Sequence, residues 1–164
     1  MQRLSKEKGF TLLEIIVSII VVTIIAIIAS NGFIVIVKGY TFSRKNALIA
    51  QQGQIAMARL KKELGNIRTV ASGTAASITF TRSADGSTHT ISWAGGNSPL
   101  LVDVDTLIGP VTSFSLTYYD SYNASASPYS ASTSIIEIML QLMGAENSPV
   151  NFTDRVNLYV ETGG

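Results

Sequence analysis

Residues 8–38 read KGFTLLEIIVSIIVVTIIAIIASNGFIVIVK, and this stretch decides the fold of the chain. Between Phe10 and Val37 the only ionisable side chain is Glu14. A helix needs about 20 mostly apolar residues to cross the hydrocarbon core of a bilayer, and this segment is longer. It therefore predicts one membrane-spanning helix with a single carboxylate near its beginning.

The carboxylate of Glu14 has two explanations. An acid inside a spanning segment is costly and usually has a partner, which points to a functional contact. The second explanation is hydration at the membrane interface, since Glu14 comes soon after the basic residue Lys8. The leader before the apolar run carries Arg3, Lys6 and Lys8 against one acid, Glu7. By the positive-inside rule, this leader stays cytoplasmic and the rest of the chain faces outward.

A short basic leader, then Gly9, Phe10, Glu14 and a long apolar run resembles the class III signal of type IV pilins and type II secretion pseudopilins. The resemblance implies that a prepilin peptidase cuts after Gly9 and that the new N-terminal residue, Phe10, is N-methylated. It also implies that Glu14 pairs with the N-terminal amine of a neighbouring subunit during assembly. Opposite charges in a low-dielectric helix bundle are more stable together than alone, which agrees with this role.

Two other N-terminal signals offer alternatives. A conventional secretory signal has an apolar core of about 7 to 15 residues and an Ala-x-Ala-like exit. The apolar run here is longer, and residues 26–30 contain no clean site of that kind. A plain single-pass anchor is the remaining alternative, and it would assign no role to Gly9 or Glu14.

Length and composition limit the rest of the chain. Of its 164 residues, those after the leader and apolar helix suffice for one small outer domain. The net charge of +1 gives no overall attraction to nucleic acid or anionic lipid. The chain has no cysteine, so disulfides, thiol catalysis and cysteine metal sites are excluded.

From Arg44 to about Val70, apolar side chains recur at helical spacing. One face carries Ile49, Gly53, Ala56, Met57, Leu60, Leu64 and Ile67. This pattern predicts that the second half of the helix packs on a soluble domain. Arg44-Lys45 and the basic run at 59–62 suggest a DNA-binding stripe, but Glu63 follows directly and no aromatic residue interleaves with the basic ones. We therefore do not expect nucleic acid as a partner.

After Val70 the sequence changes to Gly, Ser, Thr and short alternating runs, which are typical of antiparallel strands joined by turns. Asp85-Gly86 is a predicted hairpin turn between residues 77–82 and 90–93. The segment from Asp120 to Thr133 is rich in Ser, Ala and Tyr and predicts a long exposed loop. Further strands are predicted at 100–105, 111–119, 136–143 and 156–160, the last two forming a hairpin around residues 144–151.

These predictions combine into an α+β fold. A long N-terminal helix, half transmembrane and half amphipathic, packs on a small antiparallel β-sheet domain, in an order that resembles the pilin-like fold. The boundaries are a leader at 1–9, the transmembrane half at 10–37, the amphipathic half at 38–70 and the β domain at 71–164. Residues 57–64, 109–120 and 152–159 are similar to J-type minor pseudopilins and related minor pilins.

The sequence contains few candidate catalytic or metal-binding side chains. His89 is the only histidine, so any Ser-His-Asp site would have to use it. Because no nucleophile-elbow motif is present, we interpret His89 as an exposed turn residue. Asp103 and Asp105 would share one face of a strand, but their spacing is far from that of a calcium loop. We therefore expect no catalytic residue, no metal site and no cofactor.

By this resemblance the chain is a structural subunit and not an enzyme. It would be a minor pseudopilin, anchored in the bacterial inner membrane by one helix, with its C-terminal domain in the periplasm or outside, that helps to initiate or cap a pseudopilus in type II secretion. Its partners would be other pilins or pseudopilins, the prepilin peptidase and the inner-membrane assembly platform. One alternative is a minor type IV pilin for pilus assembly, adhesion or DNA uptake. Another is a membrane-anchored binding domain unrelated to filaments.

Overall fold

A computed structural model describes residues 11–158, apart from the side chain of Asn31. Within this range lie one long helix, α1 (Leu12–Gly65), eight strands and a short 3-10 turn (Ala145–Asn147). The strands are β1 (Ile67–Gly73), β2 (Ser77–Arg82), β3 (Thr88–Trp93), β4 (Leu100–Val102), β5 (Asp105–Ile108), β6 (Val111–Tyr119), β7 (Ile135–Met143) and β8 (Pro149–Asn157). The predicted α+β class, a long helix followed by small antiparallel sheets, is confirmed.

The first turn of α1 is capped by its own side chains. Thr11 Oγ1 accepts a hydrogen bond from the amide of Glu14 at 3.3 Å, and the Thr-x-x-Glu spacing is that of a capping box. Further along, the hydroxyls of Ser18, Thr23 and Ser30 each donate to the carbonyl four residues earlier. These three hydroxyls are thus bonded within the helix, as a lipid environment requires.

The chain divides into two compact units between Phe42 and Ser43. In the first, the described secondary structure is the part of α1 at residues 12–42. The second contains the remainder of α1 and all the described strands. In this second unit, α1 buries the predicted face, with Ala56, Met57, Leu60 and Leu64 all in the core.

The C-terminal end of α1 differs from the prediction. The helix ends at Gly65 and not near Val70, and β1 begins at Ile67. Gly65 has low helix propensity. The side-chain amide of Asn66 donates to the carbonyl of Lys62 at 2.9 Å, which gives a hydrogen-bond partner to a carbonyl in the last turn of the helix. Ile67 is buried as predicted, but as a strand residue paired with β2 and not as part of the helix.

The strands form two antiparallel sheets. The first is a five-stranded meander in the order β1-β2-β3-β4-β5, and the second has the order β6-β7-β8. The predicted hairpin around Asp85-Gly86 is confirmed, with Gly86 at a φ of +68°. The predicted final hairpin is confirmed as β7 and β8, although β8 begins at Pro149, inside the segment expected to be a turn.

One predicted strand is wrong. Residues 100–105 do not form a single strand, because β4 ends at Val102 and β5 begins at Asp105. Asp103 has a φ of +59°, a left-handed conformation that short polar residues tolerate, and it turns the chain back on itself. Asp103 and Asp105 therefore lie in a turn and at the start of the next strand, not on one face of one strand.

A single hydrophobic core joins α1 to both sheets. Its largest fully buried side chains are Phe80, Leu60, Leu64, Ile78, Ile91, Leu100, Ile136, Ile138, Leu140 and Val111. Backbone hydrogen bonds also connect the two sheets: the amide of Leu116 donates to the carbonyl of Ala75, and the amide of Val111 donates to the carbonyl of Ser98. The alternation of Phe114, Leu116 and Tyr118 on the buried face of β6 is confirmed.

The loop between β6 and β7 is long, as predicted, but it is exposed only in part. Tyr122 is 74% exposed, whereas Thr133 is buried and Tyr129 packs against the core. An isolated bridge pairs Ser127 with Tyr118. The middle of the loop is thereby held against the end of β6.

Candidate assembly site

The predicted cleavage and methylation positions, Gly9 and Phe10, lie outside the described residues. Glu14 lies inside them, in the first turn of α1. Its amide bonds to Thr11 and its carbonyl accepts the hydroxyl of Ser18 at 2.7 Å. Among residues 11–158 its carboxylate has no hydrogen bond or ion pair. The described part of the chain therefore leaves the charge of Glu14 available for a contact elsewhere.

The apolar part of α1, at residues 12–37, is also largely exposed in the part of the chain that the structure describes. Its large apolar side chains range from 78% exposed at Leu12 to 43% at Val37. Burying a Leu, Ile or Val side chain is worth about 1.5 to 3 kcal/mol, so a row of this length needs lipid or another helix around it. By length and composition, α1 is a helix that can cross a membrane. One N-terminal apolar helix fits the single-pass inner-membrane anchor typical of pilins.

His89 lies in a hydrogen-bonded chain that its sequence context did not predict. Its Nε2 is 2.6 Å from Ser87 Oγ, and its Nδ1 is 2.7 Å from Asp103 Oδ2. The side chain is only 16% exposed and belongs to β3, so the interpretation of His89 as an exposed turn residue is wrong. The turn at Asp103 brings the carboxylate to a histidine that is distant in sequence. A serine bonded to Nε2 and an aspartate bonded to Nδ1 of one histidine is also the hydrogen-bonding arrangement of a nucleophilic triad.

The surroundings of the Ser87-His89-Asp103 hydrogen-bonded chain favour a role in connecting two turns over a role of Ser87 as a nucleophile. The amide of Ser87 donates to Asp85 Oδ1 at 3.0 Å, so it is not free to stabilise an oxyanion. Asp85 Oδ2 lies 4.0 Å from His89 Nε2 and would repel negative charge developing there. Asp103 also accepts the amide of Thr90 at 2.8 Å. These hydrogen bonds thus connect the β2-β3 turn to the β4-β5 turn.

Two carboxylates in this region have perturbed pKa values. Hydrogen bonds from the hydroxyl and amide of Ser87 hold the pKa of Asp85 below its ordinary value. Burial raises the pKa of Asp103, but the hydrogen bonds from His89 and from the Thr90 amide outweigh burial, and the net pKa is lowered. Both acids are therefore stabilised as carboxylates by donors of the same small region.

The acids and bases singled out from the sequence do not converge on a ligand site. No group of three or more metal-ligating side chains is found among residues 11–158. In the basic run, Lys61 pairs with Asp154 at 2.8 Å. Glu63, which interrupts that run, pairs with Arg82 at 2.6 Å. These pairs fasten α1 to β8 and to β2.

Sequence reasoning did not identify the packing of Tyr118 against Tyr129. Their rings meet edge to face with centroids 5.6 Å apart. The Tyr118 hydroxyl donates to the carbonyl of Thr74 at 2.8 Å, across to the β1-β2 turn. The only available signal was the density of tyrosines around the loop, which does not indicate which of them face inward.

Comparison with known proteins bears on the N-terminal segment. Residues 4–30 match the family model described as the prokaryotic N-terminal methylation motif. The match covers part of the leader and most of the apolar run, including Gly9, Phe10 and Glu14. No curated protein and no solved structure matches the chain. The motif marks type IV pilin-like proteins, and α1 followed by small antiparallel sheets is a pilin-like architecture. At its N-terminus the chain thus carries the motif that marks type IV pilin-like proteins, ahead of a fold with pilin-like architecture.

Proposed function

We propose that this protein is a minor pseudopilin, a structural subunit that helps to initiate or cap the pseudopilus of a type II secretion system. The observation that carries the proposal is the exposed apolar part of α1 with Glu14 in its first turn, whose carboxylate has no partner among residues 11–158. A subunit whose function is to pack against other subunits needs such a surface. The J-type resemblance of residues 57–64, 109–120 and 152–159 supports the finer assignment.

The mechanism follows from the order of these features. The apolar helix holds the chain in the inner membrane, where the prepilin peptidase removes the leader by cutting after Gly9. Glu14 then pairs with the N-terminal amine of a neighbouring subunit, because two opposite charges are more stable together than alone in a helix bundle. The apolar face of α1 packs on sister helices, and the β domain lies on the periplasmic side. In this proposal the assembly platform extracts the helix from the membrane.

The first test is the intact mass and N-terminal sequence of the membrane-extracted protein, with and without a co-expressed prepilin peptidase. We expect the processed chain to begin at Phe10 and to carry one methyl group. A chain that keeps Met1 in the presence of the peptidase, or one that is cut beyond Ala29, contradicts the pilin-like maturation on which the proposal depends.

A second test separates a filament subunit from a plain anchored domain. Glu14→Val removes the charge and keeps an apolar side chain, so we expect normal membrane levels but no complementation of a deletion strain. Thr23→Val is the matched control, because the Thr23 hydroxyl only donates to the carbonyl of Ile19 in its own helix. Full complementation by Glu14→Val would favour the anchored binding domain.

The deletion strain also separates the two filament systems. Loss of a secreted substrate from the medium, with pili and DNA uptake intact, supports the pseudopilin. The opposite result supports a minor type IV pilin. The partly exposed loop from Asp120 to Thr133, with Tyr122 at its surface, is the feature that favours this second candidate.

We also propose that the protein is not an enzyme. The Ser87-His89-Asp103 chain is the one arrangement among the described residues with a catalytic precedent. Because the amide of Ser87 is occupied by Asp85, we expect no covalent labelling of Ser87 by a fluorophosphonate. Labelling that disappears in both Ser87→Ala and His89→Gln would overturn this expectation.

A further inference from the structure

A row of exposed residues at heptad spacing runs along α1 within the second compact unit. We call it the heptad stripe and define it by its members, which are Lys45, Leu48, Gln52, Ile55, Arg59 and Lys62. Residues three and four positions apart share one side of a helix, so these side chains are neighbours. All of them are exposed, and none belongs to the hydrophobic core. The stripe is therefore a second face of α1, distinct from the one that packs on the sheets.

The cations of the heptad stripe form no ion pair among residues 11–158. The neighbouring Lys61, which lies off the stripe, does have a partner and pairs with Asp154 at 2.8 Å. The only acid of α1 within the second unit is Glu63, and it pairs with Arg82. The described part of the chain therefore leaves the positive charge of the stripe available for a contact from outside.

A shallow groove of about 290 Å³ opens beside the stripe, between α1 and the end of β5. It is lined from α1 by Gln52, Ile55 and Arg59, among others, and from β5 by Leu107 and Ile108. Ile55 is 62% exposed, and the two β5 side chains are only partly buried. An apolar groove that ends at an arginine suits a protein contact, because arginine is among the residues that contribute most to binding.

The groove favours a protein segment over the two polyanions that a row of cations also attracts. A nucleic-acid backbone offers phosphates, which would leave the apolar floor of the groove uncovered. The flat surface of an anionic bilayer would meet the exposed cations but would not enter the groove to cover Leu107 and Ile108. A helix with protruding apolar side chains can cover both the groove and the stripe.

A second copy of α1 does not complement the heptad stripe. It would bring the same cations and, within its second unit, a single acid that is already paired. Like charges on facing helices repel each other, whereas opposite charges flanking an apolar seam select the partner. The complementary surface is therefore a helix of a different chain, with apolar residues at heptad spacing and acids beside them.

We propose that the heptad stripe binds an acidic amphipathic helix of a different protein chain. An apolar side chain of that helix would occupy the groove beside Ile55, and a carboxylate would pair with Arg59. This inference rests on the role of assembly subunit proposed above, and it defines the chemistry of the neighbour at this face of α1. Two copies of this chain would then not be adjacent along the stripe.

The test is photocrosslinking in the native host, using the full-length chain with Ile55 replaced by p-benzoylphenylalanine. The same replacement of Gln54, which is exposed but lies off the stripe, is the control. Mass spectrometry of the crosslinked peptide identifies the segment that contacts position 55. We expect a segment of another chain with apolar residues at heptad spacing and at least one acid among them. Crosslinks to lipid, to DNA, to a segment without an acid or to a second copy of this chain overturn the proposal, as does crosslinking no stronger than at position 54.

Charge reversal tests the contact of Arg59 directly. Arg59→Glu should keep the thermal stability of wild type, because Arg59 is exposed and has no ion pair among the described residues. It should reduce crosslinking from position 55 by about tenfold, and a lysine in place of the crosslinked acid of the partner should restore it. Gln54→Glu, which adds an acid off the stripe, is the matched control and should crosslink like wild type. Unchanged crosslinking in Arg59→Glu overturns the proposal.

The Glu14→Val experiment separates failure of this inference from failure of the role of assembly subunit. If Glu14→Val abolishes complementation while Arg59→Glu complements fully and crosslinks like wild type, the role stands and the inference about the heptad stripe is wrong. Full complementation by Glu14→Val contradicts the role itself and this inference with it.

Discussion

The ring of Phe152 in β8 lies directly over the backbone of Gly53 in α1, in the space that a Cβ at position 53 would occupy. Gly53 is buried at this crossing, between the core residues of the helix. The absence of a side chain at position 53 thus allows β8 to approach α1 closely. The fit explains why a residue of poor helix propensity stands in the middle of a well-packed helical face.

Gly53→Ala should destabilise the outer domain. Helix propensity alone would favour alanine by up to about 1 kcal/mol. The overlap with the Phe152 ring opposes this, and overpacking of a core typically costs about 1 to 3 kcal/mol. Because the ring already occupies the position of the new Cβ and would have to shift, we expect the steric cost to dominate. Thermal unfolding followed by circular dichroism measures the result.

Gly65→Ala is the matched control for Gly53→Ala. A Cβ at position 65 meets nothing within 4 Å, so propensity should decide and the variant should be as stable as wild type or slightly more so. If Gly53→Ala and Gly65→Ala have the same effect, the contact between Gly53 and Phe152 does not limit the packing.

Asn46→Ala should loosen the turn between β7 and β8. The side-chain oxygen of Asn46 accepts a hydrogen bond from the amide of Ala145 at 2.8 Å, and Ala145 is buried. Without this acceptor the amide is left unpaired, which costs about 1 to 3 kcal/mol. Hydrogen exchange at the Ala145 amide should accelerate in Asn46→Ala. Asn46→Asp keeps the acceptor and should retain the protection, and equal exchange in both variants would contradict the role of Asn46.

The sequence predicts those parts of the fold that depend on side-chain periodicity. Leu60 and Leu64 lie at helical spacing and Phe114, Leu116 and Tyr118 at strand spacing, so their burial follows from the pattern alone. The end of α1 was missed because Ile67 fits the helical face equally well, and only its pairing with β2 decides that it belongs to a strand.

The candidate assembly site was predicted from a motif, and the structure adds that the Glu14 carboxylate has no partner among residues 11–158. The Ser87-His89-Asp103 chain could not be predicted in the same way. It depends on the left-handed turn at Asp103, which carries the carboxylate across from β4-β5 to β3. A local pattern does not contain such a contact between distant residues.

The ion pair between Arg82 and Glu63 should contribute more to stability than the pair between Lys61 and Asp154. The side chains of the first pair are 24% and 14% exposed, against 47% and 38% for the second. Exposed pairs are screened by water, whereas removing one partner of a shielded pair leaves an uncompensated charge. Arg82→Met should therefore lower the unfolding midpoint more than Lys61→Met. A double-mutant cycle with Glu63→Gln and Asp154→Asn isolates the two coupling energies, and equal couplings would contradict this ranking.

Acid should weaken the fold partly through Asp103. Its pKa is lowered in the folded protein, because the hydrogen bonds from His89 and the Thr90 amide outweigh the effect of burial. A carboxylate with a lowered pKa stabilises the fold at pH values above its unfolded pKa, which is about 3.9 for aspartate, and that contribution is lost as the pH falls through the folded pKa. Asp103→Asn should therefore be less stable than wild type at neutral pH, and the difference should shrink in acid.

Urea unfolding at a series of pH values from neutral to acid measures the difference between Asp103→Asn and wild type. Asp120→Asn is the control, since the Asp120 carboxylate makes no ion pair among the described residues. A difference between Asp103→Asn and wild type that does not change with pH would show that the mutation acts through packing and not through charge.

Alkali should weaken the fold through Tyr118. Burial raises the pKa of this phenol well above its ordinary value, and the neighbouring Tyr129 raises it further. A raised pKa means that the neutral phenol stabilises the fold fully below the unfolded pKa of about 10, and that this contribution is lost as the pH rises towards the folded pKa.

Tyr118→Phe cannot ionise, so its unfolding free energy should fall less steeply above about pH 10. At neutral pH it should be less stable by about 0.5 to 1.5 kcal/mol, because the hydrogen bond to Thr74 is lost. Tyr122→Phe, at a side chain that is 74% exposed, should follow wild type throughout. Parallel alkaline profiles for Tyr118→Phe and wild type would show that another group controls unfolding in alkali.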